Sequence, residues 1–141
     1  MSFMNEEFFK ELLGMFKMES EEHVTTILGQ LNTLNQEINI DKKMEILEVL
    51  HRSAHSLKGA ARTIGLVDIE PVCQSLEFSF SNIKRDKLNI PPELNSLIQD
   101  AVRELGEVLS SLDEKGHILK DKSRATQMIE DISLQVSALN K

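Results

Sequence analysis

The sequence predicts an all-α protein, an antiparallel up-and-down four-helix bundle with an additional fifth helix at its C-terminal end. Three observations carry that expectation. Apolar residues recur every three to four positions along most of the 141 residues, the spacing that lines one face of a helix. No stretch sustains the alternation a half-buried strand requires, and Val, Ile and Thr are scattered rather than clustered. Short polar connections separate the periodic segments, which sets consecutive helices side by side and antiparallel.

In the first segment Phe9, Leu12, Phe16, His23, Ile27, Leu31, Leu34 and Ile38 form one apolar stripe, giving a long helix from about Asn5 to Gln36. Gly14 and Gly29 weaken it without breaking it. Periodicity lapses at "EINID", where Asp41 is a candidate cap for a second helix running to about Ile64. Gly65 suits the left-handed conformation that closes a helix. Asp68 is a candidate cap for the third helix, and Pro71 falls in its first turn, where a missing N–H costs little. Ile69, Val72, Cys73, Leu76, Phe80 and Ile83 form the third stripe, which ends near "KRDK", cations that suit a helix C-terminus.

"NIPPEL" reads as a fourth start, with Asn89 as cap and prolines in the opening positions. Leu94, Ile98, Ala101, Val102, Leu105, Val108, Leu109 and Leu112 follow, and the helix ends before Gly116. After the polar "DEKGHILKDKS", Ala125, Met128, Ile129, Ile132, Val136 and Leu139 outline the fifth stripe, expected to pack at one side or end of the bundle. A chain of this length forms one domain, spanning 1–141, with the bundle at about 5–113 and the fifth helix at about 121–139.

Hydrophobic residues make up 40% and charged residues 28% of the chain, a balance typical of soluble globular proteins. Sixteen basic against twenty-three acidic side chains give a net charge of -7, the wrong sign for a surface that neutralises phosphate backbones, so no nucleic acid partner is expected. No apolar run approaches the roughly 20 residues of a membrane span, and the amino terminus is acidic where a signal peptide is basic. The single Cys73 reads as a reduced, buried thiol. These features fit a cytoplasmic segment with no membrane contact.

On the second helix, turning about 100° per residue from His55 places Ile46, Val49, Leu50, Ser53, Leu57, Ala60, Ala61 and Ile64 on the far, core-facing side. Glu48, His51, Arg52, Lys58, Gly59 and Arg62 fall within about 60° of His55. His55 is therefore expected in solvent, in a basic patch on an acidic protein. Gly59, one turn on, costs roughly 1 kcal/mol against alanine in a helix interior, which makes sense where something bulky must reach the imidazole. Lys58 can place an ammonium beside a group carried on that ring, and Arg62 and Arg52 can add to the field. An exposed imidazole leaves one ring nitrogen unprotonated at neutral pH, a nucleophile once an acceptor holds its other N–H. Glu77, on the flank of the third stripe, is a candidate for that acceptor.

The run "AHSLKGAARTIGL" resembles the phosphoacceptor signature of histidine phosphotransfer (HPt) domains: histidine, any residue, a hydrophobic residue, lysine, glycine. Beyond it, "FKMESEEHVTTILGQLNTL" is similar to the first helix, and "LNIPPELNSLIQDAVRELGEVL" to the fourth, of the amino-terminal HPt domain of chemotaxis-type histidine kinases. The resemblance implies that His55 carries the phosphoryl group on Nε2, that Lys58 stabilises it, that Gly59 keeps the approach open and that Glu77 hydrogen-bonds the imidazole. Gln74 stands where such kinases often have another polar residue. Phe78 departs from the pattern: it lies about 180° from the third stripe, where a solvated polar residue is expected, and is either a surface residue or a partner contact.

The function implied is that of a phosphorelay intermediate, more fitting a domain of a larger kinase than a free carrier. His55 takes a phosphoryl group from a kinase catalytic domain or a receiver aspartate and passes it to a response-regulator receiver aspartate. No GxxxxGK[ST] loop or nucleotide lid is visible, so the chain is not expected to be an enzyme by itself or to need a cofactor; magnesium belongs to the partner. Two other readings stay open. One is a structural or docking bundle with incidental histidines, which leaves Gly59 unexplained. The other is a metal site on His51 and His55, for which no third ligand accompanies the pair. His23 is expected at the core or its boundary, and His117 in a loop.

Overall fold

The computed structural model describes residues 3–87 and 89–139, so the expected span of 1–141 reaches beyond the described residues at both ends. Five helices follow in order: α1 (Phe3–Gln36), α2 (Ile40–Thr63), α3 (Glu70–Arg85), α4 (Pro92–Ser110) and α5 (Ser123–Leu139). Among the described residues the only β pairing is an isolated bridge between Leu112 and Ile118 in the α4–α5 connection. α1 packs against α2 and α4, α2 against α3, and α5 along both α3 and α4.

Side-chain ties give the directions. Asn95 at the start of α4 donates to the carbonyl of Leu31 near the end of α1 at 2.9 Å, while Lys17, four turns into α1, donates to the carbonyl of Leu112 just past α4 at 2.9 Å. α2 and α3 run antiparallel on the same logic, with Glu48 joined to Lys84 and Arg62 to Glu70. Phe16, Ile27, Leu31, Leu50, Leu57, Leu76, Phe80, Ile98, Leu105 and Ile129 fill the shared core.

Three helix starts differ from the sequence reading. Asn39, not Asp41, caps α2: its side-chain oxygen accepts from the Lys42 N–H at 3.0 Å, and Asp41 sits in the first turn, where its charge faces the positive helix end. Asp68 caps nothing, because the backbone has already satisfied the amides: those of Ile69 and Glu70 donate to Leu66, and those of Val72 and Cys73 to Ile69. Asn89 is likewise idle. α4 begins at Pro92 behind Pro91, a pair that removes donors rather than capping them.

Gly65 has φ +79° and closes α2 as expected. The stripes are broadly as read, with exceptions at the ends and on α2. Ile38 lies in the α1–α2 connection and is 90% exposed, and Leu139 at the end of α5 is also exposed. On α2, Leu47 and Ala54 are buried while Val49, Ala60 and Ile64 are only half-buried. α2 is flanked by helices on both sides, so its buried arc turns towards α3 instead of lying directly opposite His55.

Candidate functional site

α2 carries His55 on its outward face and α3 lies against its flank, so a side chain on the α2-facing edge of α3 can reach the imidazole from below. Glu77 does so. Its two carboxylate oxygens each lie 3.1 Å from His55 Nδ1, and Lys58 Nζ sits 3.1 and 3.0 Å from the same two oxygens. The imidazole side chain is 62% exposed, whereas those of Lys58 and Glu77 are 16% and 15% exposed. An open ring thus rests on a shielded ion pair.

Burial pushes the Glu77 carboxyl up, but the hydrogen bonds from His55 and Lys58 together outweigh it and leave the group below its ordinary value. Glu77 is therefore ionised at neutral pH, and an ionised carboxylate only accepts. Nδ1 must carry the proton, and in the neutral ring Nε2 is left with its lone pair facing solvent. Among the described residues, a Cβ built at Gly59 meets nothing within 4 Å.

The other sequence candidates fall differently. Arg62 is committed to Glu70, with Nε donating at 2.7 Å, and Arg52 leans on Glu48 at 3.7 Å. His51 is half-buried rather than fully exposed, and the Glu48 carboxyl one turn before it is lowered chiefly by the hydrogen bond from Lys84. Gln74 and Phe78 are exposed on α3. His23 is half-buried at the α1–α2 boundary, and His117 lies in the α4–α5 connection, 3.5 Å from Asp113. Burial drives the Cys73 thiol up to about 12, so it stays protonated and unreactive. Among the described residues no group of three His, Cys, Asp or Glu side chains could hold a metal ion. Among the described residues no helix is long and apolar enough to cross a membrane.

Sequence reasoning missed that Lys58 faces Glu77 rather than open solvent, and missed the ladder to which that pair belongs. Glu48 meets Lys84, His55 meets Glu77, and Arg62 meets Glu70. Each rung steps seven residues forward on α2 and seven back on α3, two helical turns on each. The signal was there, as complementary charges at heptad spacing on two neighbouring helices, but it becomes readable only when their register is known.

A helical bundle that holds one imidazole at Nδ1 and leaves Nε2 towards solvent is chemically able to carry a group on that ring nitrogen. The chain belongs to the Hpt domain family, whose model matches residues 11–114, and histidine phosphotransfer in phosphorelay signalling is its class of function. It is similar to the "Chemotaxis protein CheA" of Borreliella burgdorferi, 25% identical over 128 residues, covering 86% of this chain and 14% of that relative. The protein of the same name from Bacillus subtilis is 22% identical over 120 residues, 85% of this chain and 17% of its own length. The chain thus spans about a sixth or less of the curated relatives it matches. No solved structure matches the chain significantly.

Proposed function

We propose that His55 is the phosphoacceptor of a phosphorelay and that Lys58, Gly59 and Glu77 serve it. In uptake, the Nε2 lone pair attacks the phosphorus of a donor, either ATP held by a kinase catalytic domain or a phosphorylated receiver aspartate. The bond from phosphorus to the leaving oxygen breaks, and ADP or the free carboxylate departs. The ring, now bonded at Nε2 and still protonated at Nδ1, becomes cationic, and the Glu77 carboxylate beneath it stabilises that charge. In delivery, a response-regulator aspartate attacks the phosphorus, the P–Nε2 bond breaks, and Nε2 recovers its lone pair.

The observation that carries this reading is the Nδ1–Glu77 contact at 3.1 Å beneath an otherwise open ring. Lys58 acts chiefly by fixing Glu77, and Gln74, Arg62 and His51 shape the surroundings. With no GxxxxGK[ST] motif in the sequence, the nucleotide is expected to sit on the kinase partner, and magnesium to enter with the kinase or receiver. Similarity to CheA proteins supports a place in a larger cytoplasmic chemotaxis-type kinase, a whole of which this chain is one domain.

The test is uptake of labelled phosphate from a kinase catalytic domain with ATP, and from phosphorylated receivers, by wild type and His55→Gln. Wild type is expected to acquire acid-labile, base-stable phosphate, and the variant none. Label that survives the substitution overturns the assignment, and absence of uptake from any donor leaves a purely structural bundle.

A further inference from the structure

On α3, Gln74, Phe78, Ser81 and Arg85 lie at steps of four, three and four residues and form the outward stripe of that helix. Phe78 is 56% exposed and is the only large exposed apolar side chain of α3. The ladder fixes where it stands. With Glu77 opposite His55, Phe78 is level with Ala54 along the helix pair, one residue on from the glutamate that holds the imidazole and about 100° further round α3. Both Phe78 and His55 are exposed, and the neighbours of Phe78 along its own stripe, Gln74, Ser81 and Arg85, are polar or charged.

Charge marks this helix pair out from the rest of the molecule. α2 and α3 together carry seven Lys and Arg against five Asp and Glu, net +2, while the remainder carries nine against eighteen, net −9. A strongly acidic partner is repelled by the remainder of the molecule taken as a whole and least opposed at this helix pair. A receiver is such a partner, because its acceptor aspartate must sit among further carboxylates to hold magnesium. Within the face the charges are already paired, by Glu48 with Lys84 and by Arg62 with Glu70. They orient a partner without supplying much affinity; a desolvated aromatic ringed by polar contacts is what supplies it.

Resting on the assignment of His55 as phosphoacceptor, we propose that Phe78 is the apolar anchor by which an acidic receiver docks over the imidazole. It selects among receivers through affinity and leaves the chemical step untouched. Phe78 is a specificity-determining residue and takes no part in bond making.

The experiment loads His55 with phosphoramidate, a small donor that needs no docking, and follows transfer against receiver concentration over a panel of receivers. Wild type, Phe78→Ala, Phe78→Leu and Phe8→Ala are compared, the last removing an equally exposed phenylalanine from α1. Phe78→Ala is expected to raise the half-saturating concentration of the best receivers about 10-fold or more, with the saturated rate held within about 2-fold. Phe78→Leu recovers part of the loss, Phe8→Ala changes nothing, and the spread across the panel narrows. Half-saturation unmoved by Phe78→Ala for every receiver, or a loss confined to the saturated rate, overturns the anchor. Loading that survives His55→Gln overturns the site assignment and the anchor with it.

Discussion

At the scale of single residues, the site turns on one carboxylate shared by two donors. Glu77 resists the upward push of burial only because His55 and Lys58 both bond it, so either neighbour alone holds it less firmly. A carboxyl whose pKa is lowered on folding contributes stability that is complete above its unfolded value, 4.5 here, and drains away as pH falls through the folded value. Urea unfolding of wild type and Glu77→Gln is therefore expected to differ fully above the unfolded value of 4.5 and to draw together as pH falls below it. A gap undiminished at about pH 3 contradicts the network. The wheel alone placed His55 in solvent and Gly59 beside it, since both depend only on the period of one helix. It could not pair Lys58 with Glu77, because that contact depends on the register of two helices, which no single stripe encodes.

At the scale of elements, helices and most of their bounds were legible wherever a stripe ran uninterrupted, and the residues that cap their starts were not. α3 and α4 bury every residue of their expected stripes. The three misread starts share a cause: Asp41, Asp68 and Asn89 are good capping types, yet Asn39 stood two residues nearer the break, and backbone turns or prolines had already removed the orphan donors. Inside α2, Gly59 has no neighbour to avoid, so the local helix gains nothing from it. Gly59→Ala is expected to stabilise the chain by about 0.5–1 kcal/mol through helix propensity, seen as a higher urea midpoint at unchanged slope. The same substitution should slow transfer to a receiver while leaving loading by phosphoramidate as it was, because the added methyl meets only a docked visitor. Faster or unchanged transfer in the stabilised variant would remove the visitor as the reason for the glycine.

At the scale of the whole molecule, the family-matched region ends at residue 114, before α5 begins at Ser123, yet α5 is built into the core. Ala125, Ile129, Ile132 and Val136 are buried, and the helix rests on α3 and α4 together. Its approach is fastened too. Ser111 Oγ accepts from the amides of Leu119 and Lys120, Lys120 bridges to Glu104 at 3.1 Å, and Gly116, at φ +88°, lets the ring of Phe9 close over the turn. α3 is thus held between α2, which it supplies with Glu77, and α5. Each buried aliphatic side chain of α5 contributes about 1.5–3 kcal/mol, and the surface it covers on α3 and α4 is apolar in its turn. Ending the chain at residue 120 is expected to lower Tm by about 10 °C or more and to produce concentration-dependent self-association in size-exclusion chromatography. Loading of His55 by phosphoramidate should fall with it, since α3 loses the support that keeps Glu77 under the ring. A truncated chain that stays monomeric, keeps its Tm and loads at the full rate would make α5 an appendage and leave α1 to α4 as the whole working module.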